Sequence, residues 1–98
     1  MPEPVVAIVV AEVFPGKEAE FETLAAQLFE LIRRKDYGTD RLLRSLRQSN
    51  VYYDIRDWAS QEAAEQSQCD PELQALRTRL AGICKVSEVI YSAREVSL

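Results

Sequence analysis

Ninety-eight residues, 47% apolar and 29% charged, have the length and balance of one globular domain. A net charge of −4 argues against binding a phosphate backbone, so no nucleic-acid partner is expected. The chain has no histidine and two cysteines, which excludes a histidine-bearing or four-cysteine zinc site, a histidine-based triad and a histidine-ligated haem.

Residues 1–4 read as a short tail. Val5–Val13 follows as a strand that is apolar almost throughout, the pattern of a strand covered on both faces. Its apolar run is far too short to span a bilayer, and it lacks the basic flank and cleavage site of a signal peptide. A cytoplasmic protein without a membrane partner is expected, with Cys69 and Cys84 reduced.

Phe14-Pro15-Gly16 ends the strand. Between Lys17 and Lys35 the apolar residues Phe21, Leu24, Ala25, Leu28, Leu31 and Ile32 recur at three- and four-residue spacing, which predicts an amphipathic helix. Phe29 lies beside that stripe and widens it. Acidic residues crowd the first turns and basic residues the last, as the helix dipole favours. Asp36-Tyr37-Gly38 breaks the helix. Thr39–Leu46 reads as a second strand, with Asp40, Leu42, Arg44 and Leu46 on one face. Gln48-Ser49-Asn50 is a turn by composition.

Val51–Trp58 is a third strand, rich in β-branched and aromatic residues. Alternation puts Val51, Tyr53, Ile55 and Asp57 on one face, an apolar set suited to packing. The other face carries Tyr52, Asp54, Arg56 and Trp58, the only tryptophan. Burying that row without pairing would be costly, so it meets solvent, meets a partner, or lines a cavity that something polar enters. The structural alternative is a plain ion pair between Asp54 and Arg56, with Trp58 as core.

Ser60 is placed to cap a short helix running to about Gln68. Asp70-Pro71-Glu72 opens another, with Leu73, Leu76, Leu80 and Ile83 as its stripe and Gly82 at its end. Val86–Val96 is the last strand. The order is β-α-β-β-α-β with the second helix split: a ferredoxin-like α+β domain over residues 1–98, its four-stranded antiparallel sheet covered by helices on one face. The apolar first strand demands a cover on the other face too, and a second copy of the chain is the natural one. A symmetric homodimer is therefore expected. Residues 33–47 hold six of the twelve Lys and Arg residues. That segment reads as an anion-attracting rim, a complementary dimer contact, or a solvated edge.

Phe14-Pro15-Gly16-Lys17-Glu18, Phe21, Tyr37-Gly38, Arg56-Asp57-Trp58, Asp70-Pro71-Glu72-Leu73 and the helix from Ala75 to Ala81 together resemble the antibiotic biosynthesis monooxygenase family, in order and spacing. The resemblance covers nearly the whole chain. It implies a dimeric α/β barrel with a pocket in each subunit between sheet and helices. It also implies oxidation of small aromatic, quinol-like substrates by O₂ with neither metal nor flavin, so no cofactor is expected. Other members degrade haem or isomerise small metabolites. Trp58 matches the strand-end tryptophan that lines the pocket in several members. Arg56 stands where the family usually has a glutamate, and the histidine common in the following helix is missing. Haem degradation and histidine acid–base chemistry are accordingly not carried over.

The catalytic candidates are Arg56, to steady a phenolate-type oxygen, Asp54, to take a proton, and Trp58, to stack the ring. Tyr52, Tyr37 and Tyr91 are the substrate-binding candidates. A non-catalytic metabolite-binding dimer and a small-molecule isomerase or lyase are the alternative readings.

Overall fold

The computed structural model describes residues 5–98, apart from the side chains of Glu88, Tyr91 and Ser92. Its elements are β1 (Val5–Val13), α1 (Glu18–Arg34), β2 (Gly38–Arg44), β3 (Val51–Trp58), α2 (Gln61–Gln68), α3 (Pro71–Ala81) and β4 (Cys84–Ala93). The four strands form one antiparallel sheet in the order β2-β3-β1-β4. This is the expected ferredoxin-like α+β arrangement, with the second helix split as expected.

The helix starts follow their local chemistry. The Ser60 hydroxyl accepts from the Ala63 N–H and opens α2. The Asp70 carboxylate accepts from the N–H groups of Glu72 and Leu73 and opens α3, with Pro71 in the first turn. Gly38 begins β2 opposite Trp58, so close to β3 that a Cβ would strike the Asp57 carbonyl oxygen. Only glycine lets β2 begin there.

Two strands differ from expectation. β2 stops at Arg44, because the Ser45 hydroxyl accepts from the N–H groups of Arg47 and Gln48 and turns the chain. Leu46, expected in the strand, is fully exposed in that turn. β4 covers Cys84–Ala93 instead of Val86–Val96, because it runs only where β1 can pair with it. Its register against β1 shifts twice, between Val6 and Ile8 and between Val10 and Ala11. Strict alternation therefore fails in β4, and Val86 and Val89 both line the helix side.

The core lies between the sheet and the helices. Phe21, Leu24, Ala25, Leu28 and Ile32 of α1 bury the predicted stripe against Ala7, Ala11 and Val13 of β1, with Leu73 of α3 completing it. Phe29 bridges both core clusters. The opposite face of the sheet carries Val6, Ile8 and Val10 with Leu43, Tyr53 and Ile55, and among the described residues no helix packs over it. The apolar set of β3 read as packing thus faces the open side. The mixed row of tyrosine, charges and tryptophan faces inward.

Candidate active site

Because successive β3 side chains alternate, Tyr52, Asp54, Arg56 and Trp58 all point toward the helices. There they line a cavity of about 660 Å³ between sheet and helices, of ordinary size for a small-molecule site. Its walls are mainly apolar: Ala7, Val9 and Ala11 of β1, Leu28 and Phe29 of α1, Leu42 of β2 and Leu80 of α3. Exposed Gln61, Glu65, Gln68 and Gln74, from α2 and α3, form the rim where it meets solvent.

Deep in the cavity wall sits an ion cluster. Arg56 Nε donates to Asp40 Oδ2 at 2.5 Å, and Arg56 Nη2 donates to Asp54 Oδ2 at 2.8 Å. The Arg56 and Asp40 side chains are 8% and 0% exposed, and Asp54 is 12% exposed. The guanidinium carbon stands 4.9 Å from the Trp58 ring centroid and 5.8 Å from that of Phe29. Two carboxylates thus share one cation. Asp40 Oδ1 and Asp54 Oδ1 are buried with no hydrogen-bond partner. Burial pushes the Asp54 carboxyl up to about 8, contact with Asp40 adds to the rise, and Arg56 opposes it. Burial thus favours the protonated form of Asp54, and in that form it can donate a hydrogen bond as well as accept one.

Arg56 is committed in the same way. Nε and one N–H of Nη2 are taken by the two aspartates, which leaves the second N–H of Nη2 and both of Nη1 as donors. Tyr52 contributes its ring to the cavity, 4.7 Å from Phe21, but its hydroxyl donates to Glu22 Oε2 at 2.6 Å. Burial and the Glu22 carboxylate hold that phenol up at about 12. The hydrogen bond to substrate expected of it is thus given to α1. Tyr37 packs with the Trp58 core cluster, and its hydroxyl donates to Asp70 Oδ2 at 3.0 Å. The structure does not bring it to the cavity. Tyr91 lies in β4, and its side chain is outside the described residues.

Asp40 was missed because its neighbours in sequence are all polar, and only pairing with β3 sets it opposite Arg56. The available signal was its place on the same strand face as Leu42. The basic segment splits into separate contacts: Arg33 with Glu30, Lys35 with Asp70 and Glu72, Arg44 with Glu22 and the Ser49 carbonyl. Among the described residues, no group of three or more metal-ligating side chains gathers. A cation in the cavity would have to compete with Arg56 for its two carboxylates. Cys84, at the cavity edge, is a free thiol that donates to the Leu80 carbonyl, and burial pushes it up.

The model of the antibiotic biosynthesis monooxygenase family matches residues 4–79. No curated protein sequence matches the chain. Among solved structures, SnoaB of Streptomyces nogalater, described as a cofactor-independent oxygenase, is similar over 98% of this chain and 97% of its own, with a TM-score of 0.86 and 23% identity. A Bordetella bronchiseptica protein that bears the family's name provisionally matches over 96% of this chain and 99% of its own, with a TM-score of 0.78 and 22% identity. A conserved protein from Methanosarcina mazei has the same TM-score at 12% identity, over 93% and 94% of the two chains. At these identities the likeness speaks for the fold, and the family model, which spans most of the chain, speaks for descent. The chain belongs to the antibiotic biosynthesis monooxygenase family.

Proposed function

We propose that this protein oxidises a small aromatic, quinol-like substrate with O₂, without metal or flavin, and works as a homodimer. One observation carries the reading: an apolar cavity whose buried polar cluster, Asp40–Arg56–Asp54, adjoins the tryptophan ring. Such a chamber can hold a flat ring against Trp58 and present donors to its oxygen. Family membership supports the same chemistry, and the oxygenase SnoaB shares the fold.

The reaction needs a substrate that becomes an electron-rich anion. A ring methylene next to a phenol or ketone loses a proton to solvent, and the charge delocalises onto the oxygen. Asp54 and the Nη1 group of Arg56 stabilise that oxyanion. The anion passes one electron to O₂, and the resulting radical and superoxide combine in a new C–O bond. Asp54 protonates the peroxide, recovering its proton from solvent. Loss of water leaves a carbonyl, so that CH₂ and O₂ become C=O and H₂O. A carboxyl that burial pushes well above the usual carboxylate range is suited to handing a proton over and taking it back.

The open face of the sheet supports the dimer. Val6, Ile8, Val10, Leu43, Tyr53 and Ile55 form an apolar surface next to exposed Ile90 of β4. Sedimentation should give twice the chain mass, and a monomer at micromolar concentration would overturn this part.

For the activity, purified protein is incubated with anthrones and quinols in the presence of chelator, and O₂ uptake is followed. Uptake above background, cut about tenfold by Trp58→Phe through poorer stacking, is the expected result. Uptake equal in wild type and variant would remove Trp58 from the chemistry. Binding without turnover is the second reading, favoured by the internal commitment of Arg56 to two aspartates. A ligand-induced rise in Tm with no O₂ consumption would establish it.

A further inference from the structure

We propose that Asp40, which does not line the cavity, acts through Asp54: the two carboxyls share one proton beside Arg56, and Asp54 thereby becomes a hydrogen-bond donor that selects ligands presenting a neutral carbonyl oxygen next to Trp58. The inference rests on reading the cavity as the ligand site, and it concerns binding, independently of turnover.

The geometry leads to a shared proton. Asp40 faces Arg56 directly across the β2–β3 ladder, and Asp54 lies one pair further along on the same face. Both carboxylates reach the same guanidinium through Oδ2, and both keep a buried Oδ1 without a donor. Two ionised carboxylates on one cation leave a net negative charge in an apolar chamber, which is costly to hold. One proton held by the pair removes that charge; in the free protein it lies between the carboxyls, and a ligand carbonyl competes for it. Asp40 is fully enclosed, whereas Asp54 borders the cavity. The proton that a ligand meets is therefore on Asp54. The rise of the Asp54 carboxyl, to which Asp40 contributes, agrees with this.

Few other charges reach the pair. Across the cavity stand Glu65 of α2 and Arg77 of α3, both at its rim. On α1, Glu22 is held by Tyr52 and Arg44. β1 contributes only Ala7, Val9 and Ala11 to the lining, and β4 contributes Cys84 with two valines. The charged groups nearest Asp54 are thus Asp40 and Arg56.

The test uses 9-fluorenone, a flat aromatic ketone that does not titrate, and fluorene, its analogue without the carbonyl. Binding is read from quenching of Trp58, the sole tryptophan. At pH 7 fluorenone should bind about tenfold tighter than fluorene, the value of one good hydrogen bond to a buried donor. Its affinity should fall by about tenfold in all as pH rises through the region near 8, levelling off near that of fluorene once the donor is lost. Fluorene should show no such edge. Asp40→Asn leaves a simple one-to-one pair of Asp54 and Arg56, so Asp54 ionises at lower pH and the edge moves to the acid side. Fluorenone affinity at pH 7 should then drop severalfold, by about tenfold at most, with fluorene unchanged. Asp54→Asn keeps an N–H donor that does not titrate, and should bind fluorenone equally from pH 6 to 10.

A pH edge at the same position in wild type and Asp40→Asn would overturn the inference, as would equal binding of the two probes. Failure of both probes to bind would overturn it together with the ligand-site reading. A fluorenone edge that shifts as described, with no O₂ uptake on any substrate, would uphold it and sink only the oxygenase reading.

Discussion

Asp54 and Asp70 are both aspartates in contact with a cation, and their carboxyls move in opposite directions. Asp70 accepts from Lys35 Nζ at 2.7 Å, from the Tyr37 hydroxyl at 3.0 Å, and from the N–H groups of Glu72 and Leu73 at the head of α3. Lys35 first, then Tyr37 and the backbone donors, hold its carboxyl down at about 2. Asp54 has one donor, Arg56, which it shares with Asp40, and burial holds it up at about 8. An ion pair alone does not decide the charge state of a carboxyl. The number of donors per carboxylate, the count of competing carboxylates and the access of water decide it together. The Asp70 cluster ties the end of α1 and the start of β2 to α3. The Asp54 cluster sets a carboxyl raised by burial at the wall of a cavity.

The largest effect that can break this contrast is Arg56→Ala. It leaves the buried Asp40–Asp54 pair without its cation and should cost about 3–5 kcal/mol in urea unfolding. Lys35→Ala should cost far less, since Asp70 keeps three other donors. Comparable losses in the two variants would show that the clusters do not differ as described.

Next comes the pH dependence of stability, where the signs differ. The folded Asp54 carboxyl sits above its unfolded value, so the folded state holds the proton more tightly. Stability should fall as pH rises from about 4 to about 8, and Asp54→Asn should flatten that limb. The folded Asp70 carboxyl sits below its unfolded value. Its contribution is present above about 4 and is lost as pH falls toward 2. Asp70→Asn should flatten this acid limb and leave the alkaline one alone. Tm measured from pH 2 to 10 checks both.

A smaller effect is Asp70→Ala, which removes the cap of α3 and should lower Tm by several degrees near neutral pH. The smallest is Tyr37→Phe, which deletes one hydroxyl bonded to Asp70. It should leave O₂ uptake unchanged and lower Tm only slightly. A large loss of uptake would return Tyr37 to the cavity, where the sequence had placed it.

Much of this molecule was readable residue by residue. The stripe of α1, the caps at Ser60 and Asp70, the alternation in β3 and the apolar β1 depend on neighbours within a few positions, where backbone geometry dictates the spacing. Those local rules determined the βαββαβ order and set Tyr52, Asp54, Arg56 and Trp58 on one face of one strand. They did not determine which face of the sheet the helices would cover, since the opposite face of β3 is equally suited to packing. Nor did they reveal Asp40, whose meeting with Arg56 depends on the register of β2 against β3 across a turn that Ser45 begins. The phenols of Tyr37 and Tyr52 found their partners only when α3 and α1 closed over the sheet. Charge state was decided last, because a carboxyl responds to every group and every void around it. Sequence orders those groups along a line, and only packing brings them within reach of one another.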